Sequence, residues 1–587
     1  MKKALVRILA TIGASVVLSL LVSLVLSRVM RGRIEPGTVL ELDFADRIVE
    51  QAPPAIQSFF VVPPLTVRDV VDALARAAED ARVTTLVARV GDAQLGLGTL
   101  QEIRDAVLSF RRAGKRAIAV ADTFGEFGPG NGPYYLATGF DEIHLQPSGD
   151  LGVTGLAAQT PFVRQALDKL HVTPRLAARR EYKSAANVFT ETGYTPAHRE
   201  ASERVLASQF AQVVRGIAEG RGMADDAVRT LVARGPLSAS DALAAGLVDQ
   251  LAYRDEVWDR LRGEDGDLPP RLGLGRYLAR AGRPNDEGAK VALVYGVGSV
   301  HRGRSGWGLL SSEPTMGAET VAGAIRAATD DDDVRGILFR IDSPGGSYVA
   351  SDTIWREVRR ARSKGKPVVA SMGDVAGSGG YFVAMAADRI VAHPGTVTGS
   401  IGVLAGKLVT GDMWRQVGVE WADLATAPNA TMWMTTRDYT DEQWARVQEF
   451  LDRIYDDFVG KAAEGRGLAR DEMERVARGR IWSGEDAKER GLVDALGGLP
   501  EALRQVRELA GLGADADVDV VVFPRTKTPL ERVVARYLDR DEGEATARAA
   551  SLPDVLGRIA ATPSVRSLLA MLEGQGTLRM AEPAAVW

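Results

Sequence analysis

Two stretches of this 587-residue chain set serines among glycines, where a backbone has to turn. "HPGTVTGSIGV", from His393 to Val403, holds Ser400 between Gly399 and Ile401-Gly402. "GDVAGSGGYF", from Gly373 to Phe382, holds Ser378 next to Gly377, Gly379 and Gly380. A serine hydroxyl attacks only when a base takes its proton. Bases are scarce here. The chain has no cysteine, which excludes thiol nucleophiles, disulfides and thiolate metal sites. Its five histidines show no HExxH-type spacing, and no metal site is expected. His393 is the histidine nearest Ser400 in sequence, but no acidic partner stands at a known spacing from it. The other base open to serine is a neutral lysine. Of the 72 basic residues 12 are lysine, and arginine cannot deprotonate. Between residues 37 and 262 only Lys115, Lys169 and Lys183 occur. Lys115, in "RRAGKRAIAV", is matched by Lys366 in "RSKGKPVVAS" and reads as a repeated turn feature. Lys169, in "QALDKL", reads as a solvated helix face. Lys183, in "RREYKSAANVF", has no lysine counterpart in "ATAPNATMW", and reads either as a base or as part of a solvated charge run.

A third stretch, "IDSPGGS" from Ile341 to Ser347, ends an apolar run and precedes a helical one. Gly345 and Gly346 allow positive φ and leave N–H groups free. Such donors suit an oxyanion or a phosphate, and a plain strand-to-helix turn would use the same residues.

These stretches belong to a duplicated body. Tyr134-Tyr135-Leu136-Ala137 matches Tyr381-Phe382-Val383-Ala384 at an offset of 247. Asp141, Pro147, Gly152 and Gly155 match Asp388, Pro394, Gly399 and Gly402 at the same offset. "AEGRG" at Ala218 recurs at Ala463, and "GLVD" at Gly246 recurs at Gly491, at an offset of 245. "QPSGDLGVTGL", Gln146 to Leu156, is then a copy of the Ser400 stretch, with Val153 in place of the serine. The register predicts two tandem domains, 37–262 and 288–510, joined by a linker at 263–287 rich in glycine, proline and charge. Within the second copy, β-branched runs such as "KVALVYGVGSV" and "VRGILFRIDSP" alternate with amphipathic stretches such as "ASDTIWREVRRARSKG". That alternation predicts an α/β fold with a largely parallel sheet. The tail, 511–587, opens with a strand candidate, "DVVVFP", and then turns helical and Arg-rich, with no role assigned.

Ile8 to Ser27 is a 20-residue run without charge. At ~1.5 Å per residue it would span one bilayer core, and "SRVMRGR" after it lacks a small-x-small cleavage site. The expectation is an uncleaved anchor within residues 1–33, holding membrane lipid through residues 8–27. A net charge of -5 with scattered basic residues gives no reason to expect nucleic acid as a partner.

"EYKSA" around Lys183, "TGSIG" around Ser400 and "DSPGGS" together resemble the bacterial signal peptide peptidase A family, in its long form with duplicated domains. "DSPGGS" also resembles the wider crotonase and Clp-protease superfamily. The similarity runs from the anchor to about residue 510. It implies two tandem crotonase/Clp-protease-like domains after one transmembrane helix. It implies Ser400 as nucleophile and Lys183 as general base, one from each repeat. Gly345, Gly346 and Ser400 would then offer oxyanion N–H groups, and Ser184 would orient the lysine. The resemblance further implies a serine endopeptidase that degrades cleaved signal peptides. Its body would lie outside the cytoplasmic membrane, assembled as a homo-oligomer, a tetramer in the long form, with no cofactor. A non-catalytic membrane scaffold would let the serine, the lysine and the glycine pair erode. An acyl-CoA enzyme of crotonase type would use the same N–H pair but gives no reason for an anchor.

Overall fold

The structure, a computed structural model, describes residues 32–53, 63–307, 313–513 and 516–524. The apolar run 8–27 lies outside the described residues, and among the described residues no helix is long and apolar enough to cross a membrane. Two bodies of mixed α/β fold follow one another, each with its own hydrophobic core.

The first body is built on a six-stranded parallel sheet in the order Gln250–Leu251, Glu142–Leu145, Arg116–Ala121, Val83–Arg89, Thr38–Asp43, Arg271–Gly273. Runs such as "VTTLVAR" and "RAIAVA" are almost wholly buried, as strands covered on both faces must be. The second body repeats the order with Ala495–Leu496, Arg389–Ala392, Val368–Gly377, Val334–Ser343, Ala289–Val297 and Val518–Phe523, again parallel. Val397–Gly399 pairs with the far end of Val368–Gly377, and Ile481–Ser483 lies antiparallel beside it.

The duplication therefore reaches further than the sequence register suggested. Arg271–Gly273 and Val518–Phe523 take the same edge of the two sheets, each beside the first long strand of its body. The stretch expected as a linker thus contains an edge strand and the helix Leu274–Ala281, which packs on the helix Val67–Glu79. "RLG" is too short, between prolines and glycines, to carry a strand period.

Several features join the bodies. The helix Leu97–Arg112 starts at Gly96, which has no side chain to cap it. Asp374, from the second body, caps it instead, accepting from the Thr99 N–H and the Thr99 hydroxyl, both at 2.8 Å. Arg340, fully buried in the second sheet, pairs with Glu50 at 2.7 Å and Glu102 at 2.6 Å, both from the first body. Burial works against the Glu102 carboxylate, but Arg340 holds it down to about 2. Last, strand Thr173–Arg179 of the first body pairs antiparallel with Val403–Val409 of the second. The helix Pro196–Arg221 then lies along the second body, where Gln209 and Gln212 donate to the Gly395 and Pro394 carbonyls.

Candidate active site

The antiparallel ribbon brings distant residues together. Its register sets Arg179 opposite Val403. The chain leaving the first strand reaches Lys183 four residues on, alongside the chain that passes Ser400 on its way into the second. The Lys183 amine lies 3.0 Å from the Ser400 hydroxyl, 2.9 Å from the Ser400 carbonyl and 2.9 Å from the Ser378 hydroxyl. All three residues are buried. Burial pulls the lysine down to about 7, because desolvation disfavours the ammonium and no carboxylate stands by to offset it.

A third segment closes over the pair. Gly479 N–H donates to the Ile401 carbonyl at 2.8 Å, and Tyr182 N–H donates to the Arg478 carbonyl at 3.3 Å. A Cβ at Gly479 would lie 2.5 Å from the Lys183 nitrogen and 2.6 Å from its Cα. The lysine backbone is thus pressed against a position that only glycine can hold.

The serines differ in what surrounds them. Ser378 stands at the sharp junction between strand Val368–Gly377 and helix Gly379–Ala384, with φ 52° and ψ −115°. A strained strand-to-helix turn of this kind thrusts a hydroxyl forward, and the next residue's N–H points at an oxyanion. Gly379 N–H has no acceptor among the described residues, and neither has Gly346 N–H. The two turns touch backbone to backbone. A Cβ at Gly379 would lie 3.0 Å from the Gly346 nitrogen, and one at Gly345 would lie 2.9 Å from the Ser378 Cβ. Ser400 also has φ 52°, but its N–H donates to the Arg480 carbonyl at 2.7 Å.

Several expectations change accordingly. Ser400 N–H is consumed by Arg480, which removes it from the oxyanion set. Gly345 N–H is engaged with the Ser343 hydroxyl at 3.2 Å, so Gly346 is the donor left in the pair. Ser184 begins the 3-10 turn Ser184–Ala186 and is not among the hydrogen-bond partners of the amine; Ser378 and Ser400 hold that place. His393 is buried with its Nε2 3.6 Å from Glu102, in the Arg340 cluster. Lys115 and Lys366 do matching structural work: Lys115 ties the Asp80 and Val83 carbonyls, and Lys366 those of Ala328 and Asp331. Lys169 is exposed.

The repeat register contained one signal that went unread. At the offset of 247, Ser378 corresponds to Asn131 as Ser400 corresponds to Val153. Asn131 accepts from Thr154 and Gly155 N–H at 3.1 Å and donates to the Gly155 carbonyl at 2.9 Å. The first body's equivalent site is filled by its own amide.

A buried amine of lowered basicity lies between two hydroxyls, beside two backbone N–H groups without an acceptor among the described residues, an arrangement that can take a proton from a serine. The chain belongs to peptidase family S49, whose model matches twice, over residues 109–266 and 360–513, and it is a serine peptidase. It is 28% identical over 515 residues to the chloroplastic serine protease SPPA of Arabidopsis thaliana, covering 86% of this chain and 74% of that one. It is 31% identical over 456 residues to Protease 4 of Salmonella typhi, covering 76% of this chain and 72% of that one. Over 184 residues it is 31% identical to an Enterococcus faecium protein provisionally named signal peptide peptidase SppA, covering 31% of this chain and 54% of that one.

Proposed function

We propose that the chain cleaves peptides with Ser378 as nucleophile, Lys183 as general base and Ser400 as the group that aims the base. The observation that carries this is the Lys183 amine at 2.9 Å from the Ser378 hydroxyl, in a turn whose following N–H is free. A neutral amine has two N–H donors and one lone pair. Ser400 offers two acceptors, its carbonyl and its hydroxyl, and these take both donors. The lone pair is left for the Ser378 proton. Ser378 Oγ then bonds to the scissile carbonyl carbon, and the oxyanion rests on Gly379 and Gly346 N–H, each worth about 3 kcal/mol. The lysine passes its proton to the leaving amine as the C–N bond breaks. It then deprotonates the water that releases the acyl group.

The second reading keeps Ser400 as nucleophile, because its hydroxyl is also within 3.0 Å of the amine. It lacks an N–H of its own for the oxyanion. Peptide hydrolysis separates the two. Ser378→Ala should lose about 10⁴-fold or more in kcat/KM, and Ser400→Ala roughly 10- to 10³-fold. The reverse ranking restores Ser400 as nucleophile.

The substrates of this reading are cleaved signal peptides. The enzyme is tethered by residues 8–27, works on the outer face of the cytoplasmic membrane and assembles as a homo-oligomer, a tetramer. Support comes from the uncharged 20-residue run, the quoted motifs and the name carried by the Enterococcus relative. Finding the full chain in the soluble fraction of lysed cells would refute the tether.

A further inference from the structure

The turn that closes over the base carries one residue more than its counterpart in the first body. "VARG" at Val232 recurs at Val476 at an offset of 244, while Ser238 matches Ser483 at 245. Between that glycine and that serine the first body has "PL" and the second has "RIW". The ladders differ to match. In the first body Asp150 and Leu151 pair with Ser238 and Leu237, and the ladder ends at Pro236, which has no N–H to extend it. In the second body Val397 and Thr398 pair with Ser483 and Trp482, and the ladder runs on through Gly399 opposite Ile481. It reaches Ser400, whose N–H meets the Arg480 carbonyl at 2.7 Å. The longer ladder belongs to the copy that has both serines.

The turn is strained and anchored from outside. Arg478 has φ 52° and Gly479 φ 81°. A residue other than glycine stays in that region only where its surroundings fix it. Both arginines reach across to the first body. Arg478 pairs with Glu181 at 2.8 Å, two residues before the lysine. Arg480 pairs with Glu200 at 2.7 Å, and Glu200 also accepts from the Tyr182 hydroxyl at 2.9 Å. The Arg480 guanidinium lies over the Tyr182 and Trp482 rings, at 4.8 and 4.4 Å, and its side chain is only 16% exposed. Arg490, paired with Asp486, also lies over Trp482, at 4.0 Å. Arg480 thus touches Ser400 through its carbonyl and the neighbour of Lys183 through its side chain.

We propose that Arg480 is a positioning residue, which holds Ser400 and Lys183 in register by tying the turn to Tyr182 and Glu200. The inference rests on Lys183 as the base and deepens that reading. A partly exposed ion pair adds little to stability, so its effect is read at the amine and not in the fold. With the tie loosened, Ser400 no longer takes both N–H donors of the neutral amine, and water reaches it. Both changes favour the ammonium.

The test is the pH profile of peptide hydrolysis by the full-length chain in detergent. Glu200→Gln keeps the shape and removes the charge. It should lower kcat about 3- to 10-fold, leave KM within about twofold, and raise the pH of half-maximal activity by about 0.5. Arg480→Ala should lower kcat about 10- to 100-fold and raise that pH by about 1. Arg480→Lys keeps the charge but not the planar stack, and should fall between Arg480→Ala and the parent. Glu485→Gln breaks the Arg215 pair made by the same helix to the second body, and should leave the profile where it was. Both glutamine variants should melt like the parent. If Arg480→Ala does not fold, Glu200→Gln decides. Profiles that stay in place in Glu200→Gln and Arg480→Ala would overturn the positioning role and leave the base standing. An equal displacement in Glu485→Gln would overturn it as well, as an effect of docking in general. A parent profile without an inflection would overturn the lysine reading and this role with it.

Discussion

At the scale of single residues the proposed function turns on the state of one amine. Lys183 is held near pKa 7 by burial, against 10.5 for the free side chain. Activity should therefore rise about tenfold per pH unit below 7 and level off above it. The same shift acts on stability. Between about pH 7 and 10.5 the unfolded chain carries the proton and the folded chain does not, so stability rises with pH across that window. In Lys183→Met this contribution to the rise should vanish, together with the activity. Urea unfolding at pH 7, 8.5 and 10 checks it, and an equal slope in both proteins would show that the amine stays charged in the fold. Much of this was legible beforehand. Lysine scarcity left three candidates in the first repeat, and the resemblance carried by "EYKSA" favoured Lys183 among them. The sequence reading favoured Ser400, and the order of the two serines proposed above was not legible in it. Both lie in glycine-rich turns, and they are told apart by the strand-to-helix turn at Ser378, the free Gly379 N–H after it and the hydrogen bond from Ser400 N–H to Arg480. Arg480 is 80 residues away in sequence, beyond the reach of any local pattern.

At the scale of elements, the candidate site is the meeting of several chain segments rather than a pocket in one. The strand Thr173–Arg179 delivers the lysine, the strand Val397–Gly399 delivers Ser400, and the turn at Arg478–Arg480 closes over both. Gly479 is the tightest point. Its φ of 81° and the Lys183 backbone both forbid a side chain. Gly479→Ala should shift the lysine by enough to cost about 10²-fold in kcat/KM, since displacements near 1 Å cost that much. Circular dichroism should show the fold intact, and a fully active variant would mean the turn yields without moving the amine. The parallel sheets, their strand alternation and the duplication were readable from periodicity and register. The edge strands Arg271–Gly273 and Val518–Phe523 were not assigned to a sheet. The first is too short to show a period, and partner strands far off in the chain decide where either one lies.

At the scale of the whole molecule, the two bodies are bound to each other on two levels. Partly exposed ion pairs line the crossing, among them Arg180 with Glu474, Arg215 with Glu485 and Arg480 with Glu200. Each is worth ~0.2–1 kcal/mol and weakens with salt. The buried Arg340 with Glu50 and Glu102 is different in kind. Arg340→Ala would leave two carboxylates unpaired in the interior, at a cost of about 3–5 kcal/mol. Calorimetry should then show the single transition splitting or falling sharply, with activity lost although Arg340 makes no contact with the amine or either serine. A variant that melts and cleaves like the parent would mean that the ribbon alone holds the bodies in place.

The separation of base from serine also has a meaning in time. Lys183 and Ser378 are 195 residues apart, and the Arg478–Arg480 turn that closes on them comes later still. A ribosome carrying only the first body displays a lysine whose partners, Ser378 and Ser400, have not yet been made. On the proposed roles, cutting power arrives only when the second body has been made and docked. On that reading, chains that stop before Ser378 would carry the base without a nucleophile and would not cut.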